Sequence, residues 1–95
     1  MTEKQEIRII VKVLNGDIDA YEILVREYEK IIYNLAFRIV KSRDTAADLS
    51  RKVFLKAFHS LPSFSLDSPF SVWLYTIASG VYSEYLKSSF GHFAK

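Results

Sequence analysis

Residues 44–78 read DTAADLSRKVFLKAFHSLPSFSLDSPFSVWLYTIA. Ala46, Leu49, Val53, Ala57 and Leu61 recur at steps of three and four, the spacing of one helix face. Pro62 ends that helix, because its ring blocks the turn before it and it has no N–H to donate. Residues 63–68 then form a short loop that carries Phe64 and Leu66. Ser68 is the predicted cap of the next helix, with Pro69 in the first turn, where a missing N–H costs nothing. Phe70, Leu74, Ile77, Val81 and Tyr85 form the predicted core face of that helix.

Working upstream, Lys41-Ser42-Arg43-Asp44 is a polar break with Asp44 as the predicted N-cap. A long helix over residues 18–41 precedes it. Its expected apolar stripe is Tyr21, Leu24, Tyr28, Ile31, Leu35 and Ile39, running roughly 35 Å at 1.5 Å per residue. Asn15-Gly16 is a stop signal and Asp17 a new cap. The first helix, residues 3–14, opens on Thr2 and Gln5 at capping-box spacing, with Ile7, Ile10, Val11 and Leu14 inward. The expectation is an all-α, single-domain bundle of about four helices, over residues 3–14, 18–41, 45–61 and 69–88.

Composition agrees. The chain has 95 residues, enough for one modest core, and is 49% hydrophobic and 25% charged, which excludes wholesale disorder. It contains no cysteine, so disulfides and thiolate metal sites are excluded and a cytoplasmic setting fits. The charged opening MTEKQEIR has no apolar core of a signal peptide, and no apolar run approaches the ~20 residues of a membrane span. A net charge of +2 is too small to argue for nucleic acid by itself. There is no glycine-rich phosphate loop, no HExxH pair and no nucleophile elbow, and His59 and His92 stand alone. No enzyme activity, cofactor or metal is expected.

The ordered set of short segments has a family likeness over about residues 6–87. It consists of Leu14-Asn15-Gly16-Asp17, Ala20-Tyr21, Leu24-Val25 and Tyr33-Asn34-Leu35-Ala36, then Asp48-Leu49 and Val53-Phe54-Leu55-Lys56-Ala57-Phe58, and finally Phe70-Ser71, Trp73-Leu74-Tyr75 and Ile77-Ala78. This order resembles region 2 of bacterial sigma factors of the extracytoplasmic-function group. The resemblance implies transcription initiation. The central helix would dock on the β′ clamp of RNA polymerase core through Asp48, Leu49, Arg51, Lys52, Phe54 and Leu55. The loop and fourth helix would bind and melt the promoter −10 element, capturing an unstacked non-template base. Ser63, Phe64, Ser65, Asp67, Ser71, Trp73, Tyr75, Thr76, Ser79, Tyr82 and Lys87 are the implied DNA-facing residues. A flipped base needs a pocket with aromatic or apolar walls. Trp73, Tyr75 and Tyr82 are the stacking candidates, with Tyr75 and Tyr82 seven apart and so on one face. A full family member also carries a C-terminal helix-turn-helix domain, so a region 2 fragment or a stand-alone region 2 is expected.

The polar decoration departs from the family pattern. Arg51-Lys52 stands where the family usually has Gln-Glu, and Thr45-Ala46-Ala47-Asp48 where it usually has Asp-Ala-Glu-Asp. Thr76, Ser79-Gly80 and Ser88-Ser89 stand where it commonly has basic residues. Two cations on a surface meant for a basic partner are expected to oppose docking. A second reading therefore keeps the fold but binds an anti-sigma protein or another regulator. A third is an unrelated helical adaptor.

Overall fold

The computed structural model describes residues 1–91, and His92 lies outside them. Four helices and two short 3-10 turns make up the described residues, with no strand among them. Helix α1, Glu3–Leu14, opens as expected. The Thr2 hydroxyl accepts from the Gln5 N–H at 3.2 Å and the Gln5 side chain accepts from the Thr2 N–H at 2.9 Å. It closes on Gly16 at φ 105°, with the Asp17 N–H donating to Lys12 and the Gly16 N–H to Val13. These two bonds form a Schellman motif, which requires a left-handed residue at the glycine position.

Asp17 does not cap a helix directly. A 3-10 turn, Ile18–Ala20, intervenes, the Asp17 side chain makes no cap bond, and α2 runs Tyr21–Val40. Helix α3 is Arg43–Ser60 and its cap is Ser42, not Asp44: the Ser42 hydroxyl accepts from the Thr45 N–H at 3.3 Å. Asp44 falls instead in the first turn, where its charge still favours the positive helix end. A 3-10 turn at Leu61–Ser63 takes in Pro62, and α4 spans Phe70–Gly91. Its first turn is closed by the Trp73 N–H on the Pro69 carbonyl at 3.4 Å, so Pro69 occupies the position expected of Ser68.

Helices α2, α3 and α4 pack on one another, and α1 closes over α2 and the Leu61–Ser63 turn. The α3 stripe is buried as expected at Ala46, Leu49, Val53, Ala57 and Leu61. The α2 stripe is not. Leu24, Tyr28, Ile32 and Ala36 are buried, while Ile31 and Ile39 are exposed. Four-residue steps advance 40° per step around a helix, so this row slopes across α2 as an i±4 ridge. A constant-azimuth stripe of alternating threes and fours cannot follow it. Helix α1 is rotated similarly: Glu6, Ile10 and Val13 are inward, and Val11 and Leu14 face solvent.

On α4, Phe70, Leu74 and Val81 are buried as expected, but so are Ala78 and Tyr82, while Ile77 and Tyr85 are only half-buried. Contact with both α2 and α3 widens the buried arc of this helix. The Tyr82 hydroxyl donates to the Ile32 carbonyl at 2.9 Å, and burial pushes its phenol up to about 12. The unfolded phenol titrates near 10, so this contribution to stability is intact below pH 10 and lost between pH 10 and about 12. The loss should be roughly 2–3 kcal/mol. Denaturant midpoints measured from pH 9 to 12 should fall more steeply for the native chain than for Tyr82→Phe. Parallel curves would contradict the assignment.

Candidate functional site

The loop after α3 is held by its own hydroxyls. The Ser63 hydroxyl donates to the Ser60 carbonyl at 2.6 Å, the Phe64 N–H donates to Leu61 at 3.0 Å, and the Asp67 N–H donates to the Ser65 hydroxyl at 3.4 Å. These bonds bend the chain back so that Phe64 points inward. Its ring lies edge-on to Phe70 at 5.8 Å and tilted on Trp73 at 5.1 Å, and Phe70 in turn meets Tyr28 at 5.6 Å. Phe64 is therefore buried, and it shapes the loop instead of offering a free face to a base. Trp73 is half-buried, with one flank on Phe64 and Phe70, so part of the indole remains open.

Ser65, Leu66 and Asp67 are exposed at the loop tip. Between this loop and α1 lies a concavity of about 240 Å³, lined by Phe64, Leu66, Asp67 and Pro69 on one side and Glu3, Glu6 and Ile7 on the other. It is roomy enough for one nucleobase. The sequence alone does not single out the α1 wall. Its one signal is Glu6, a charged residue at helical spacing with Ile10 and Val13. Glu6 is 8% exposed, and its carboxylate accepts from the Tyr28 hydroxyl at 2.6 Å. Burial, and secondarily that bond to Glu6, push the Tyr28 phenol well above its ordinary value.

The other implied DNA residues divide. Tyr82 is turned into the bundle and cannot share an exposed face with Tyr75, which is half-buried. Ser71 is half-buried, and Ser79 and Lys87 are exposed. Thr76 is exposed but its hydroxyl is spent on the Val72 carbonyl at 3.0 Å. Gly80 needs no close backbone approach: an added Cβ there would meet nothing within 4 Å.

A second cleft, of about 460 Å³, lies between α2 and α3 and is lined by Ile18, Tyr21, Val25, Arg51, Phe54, Leu55 and Phe58. Tyr21 shapes it: its hydroxyl donates to the Phe54 carbonyl at 2.7 Å and its ring meets Phe58 edge-on at 5.2 Å. Burial raises the Tyr21 phenol well above its ordinary value. Leu55 and Ile18 are each about 60% exposed on the cleft rim. Leu49 is buried in the core and Phe54 shows only 9% of its surface, so neither is an open contact residue. Arg51 is paired with Asp48 at 2.6 Å on the outer face, so its charge is locally balanced. Lys52 lies elsewhere, beside Lys56 and α4.

The sigma-70 region 2 family model matches residues 24–89, which span α2, α3, the loop and nearly all of α4. The chain belongs to the sigma-70 region 2 family. Among its relatives are the RNA polymerase sigma-H factor of Pseudomonas aeruginosa, 36% identical over 82% of this chain and 40% of the relative. The ECF RNA polymerase sigma-E factor of Escherichia coli is 37% identical over 90% of this chain and 45% of the relative. The chain thus spans less than half the length of these curated relatives. An NMR structure of an engineered region 2 of sigmaE in complex with GTAAAA superimposes with a TM-score of 0.80, at 33% identity, over 93% of this chain and 88% of the other. This region 2 domain is the compact all-α bundle expected. Among its described residues no helix is long and apolar enough to cross a membrane.

Proposed function

We propose that this region 2 domain serves an extracytoplasmic-function sigma factor in transcription initiation, binding RNA polymerase core and engaging the promoter −10 element. The observation that carries the reading is the concavity between the loop and α1, whose lining residues Phe64 and Phe70 also pack on the half-open Trp73. A relative with this fold was solved in complex with a hexanucleotide, and an unstacked base needs a pocket of this kind. Asp67 and Phe64 line it, Ser65 is exposed on the same loop, and Trp73 packs on Phe64. The α2–α3 cleft is the surface for the β′ clamp, with exposed Leu55 as the apolar anchor and the Asp48–Arg51 pair at the rim. Because Arg51 is balanced by Asp48, it opposes a basic partner less than a free cation would.

Two titrations test this. Trp73 emission should change saturably on adding the hexanucleotide GTAAAA, with affinity falling as salt rises. Leu55→Glu should weaken binding to a β′ clamp fragment at least about tenfold, the cost of burying a charge at an apolar anchor, with helicity unchanged. Absence of both interactions at high micromolar concentration would move the assignment to a module that binds an anti-sigma or other regulatory protein.

A further inference from the structure

The α2–α3 cleft has an apolar end and a charged end, and its two walls differ in sign. At the apolar end Ile18 and Tyr21 face Leu55 and Phe58, with the Tyr21 and Phe58 rings in contact. Ile18 is 62% and Leu55 60% exposed, which makes them the two most exposed large hydrophobic residues among those described. Glu29 and Arg51 stand at the other end. They lie about 12 Å from Tyr21 along α2 and about 10 Å from Phe58 along α3, at 1.5 Å per residue. Glu29 is exposed and makes no ion pair among the described residues. Arg26, one turn before it, is held by Glu22 at 2.9 Å. Asp17 and Asp19, both exposed, flank Ile18, so the α2 wall and its entry turn are acidic. The α3 wall carries Arg51, whose pair with Asp48 is exposed on both sides and therefore exchangeable.

We infer that this cleft is the interface of a two-fold dimer with a second copy of the chain. A two-fold axis parallel to α2 and α3 exchanges the walls and keeps each end of the cleft in place. Leu55 then seats on Ile18 of the second copy, and Arg51 faces Glu29 of the second copy. The symmetry makes each contact twice. A partner of uniform charge satisfies one wall and opposes the other. A second copy brings both signs in the order the walls require. The dimer also covers the two most exposed apolar residues of each copy. The same cleft is the surface read above as the β′ clamp site, so the dimer and the polymerase-bound state exclude one another, and self-association holds the domain off polymerase. That consequence rests on the clamp reading; the dimer itself does not.

Sedimentation velocity tests the dimer. The native chain should pass from monomer towards dimer between about 5 μM and about 500 μM, the range of a small, transient interface. Leu55→Glu should weaken self-association at least about tenfold. Glu29→Arg and Arg51→Glu, both at exposed positions, should each weaken it several-fold with helicity unchanged. An equimolar mixture of those two variants should associate, because every charge then meets its opposite across the axis. The chain carrying both substitutions should self-associate like the native one. A chain that stays monomeric at about 500 μM would overturn the inference. Association indifferent to Leu55→Glu, or charge reversals that neither the mixture nor the double variant restores, would overturn it as well. A β′ clamp fragment should dissociate the native dimer. A fragment that binds the intact dimer, or does not bind at all, would overturn the clamp reading of this cleft and leave the dimer standing.

Discussion

Phe64→Ala should cost about 3–5 kcal/mol of stability, the usual range for removing a buried aromatic ring. The ring is 7% exposed and packed against Phe70 and Trp73. Its loss leaves a cavity under the loop and frees one flank of Trp73. Against the 5–15 kcal/mol typical of a domain, this is a large fraction of the total. Urea unfolding followed by helical circular dichroism measures it. The same variant should bind GTAAAA more weakly, because the loop that walls the concavity loses its anchor. Leu66→Ser, at the exposed tip, should stay within about 0.5 kcal/mol of the native chain. A Phe64→Ala variant of native stability would mean that the ring is free, and would return it to the DNA-facing set that the resemblance implies.

Tyr28→Ala should cost at least about 4 kcal/mol, from two separable losses. One is the ring, buried against Phe70. The other is the hydroxyl that satisfies the buried Glu6 carboxylate at 2.6 Å. Tyr28→Phe keeps the first and removes the second, and should cost about 1–3 kcal/mol, because a buried acceptor is left without its donor. This bond ties α1 to α2, so hydrogen exchange in Glu3–Leu14 should accelerate in both variants before the other helices respond. A double-mutant cycle of Tyr28→Phe with Glu6→Gln isolates the pair. A coupling near zero would show that α1 is docked by Ile10 and Val13 alone.

Local chemistry made much of this protein readable without coordinates. The capping box at Thr2 and Gln5 and the stop at Gly16 need only neighbours within one turn, and both form as read. The α3 stripe from Ala46 to Leu61 is also buried as read, because the stripe there already follows the four-residue steps Leu49, Val53, Ala57 and Leu61 along which that helix packs on its neighbours. The cap at Ser42 was not separable from Asp44 in the sequence, since both residue types satisfy a first-turn N–H. On α2 the buried row slopes, so Ile32 and Ala36 replace Ile31 and Ile39, a choice set by the ridges of the helices it meets.

The candidate sites follow the same division. The order of helix, aromatic loop and Trp73-bearing helix sufficed for the family likeness and for placing the loop, Leu55 and Trp73. Aromatic residues on one stretch of chain look alike in sequence, yet Phe64 and Tyr82 are buried while Trp73 stays half open. Lys52 follows Arg51 directly, but consecutive helix residues point about 100° apart, and only the position of α4 decides that Lys52 faces a different cleft. The α1 wall of the loop concavity comes from residues some sixty positions away, joined by packing that no periodicity records. The sequence by itself therefore determined the helices, the cap at Thr2, the stop at Gly16 and the family, because those depend on near neighbours and on the order of segments. The tertiary structure alone decided which aromatic rings are spent on the core, which lysines face which groove and which helix completes the pocket, because each depends on the direction from which a distant helix approaches.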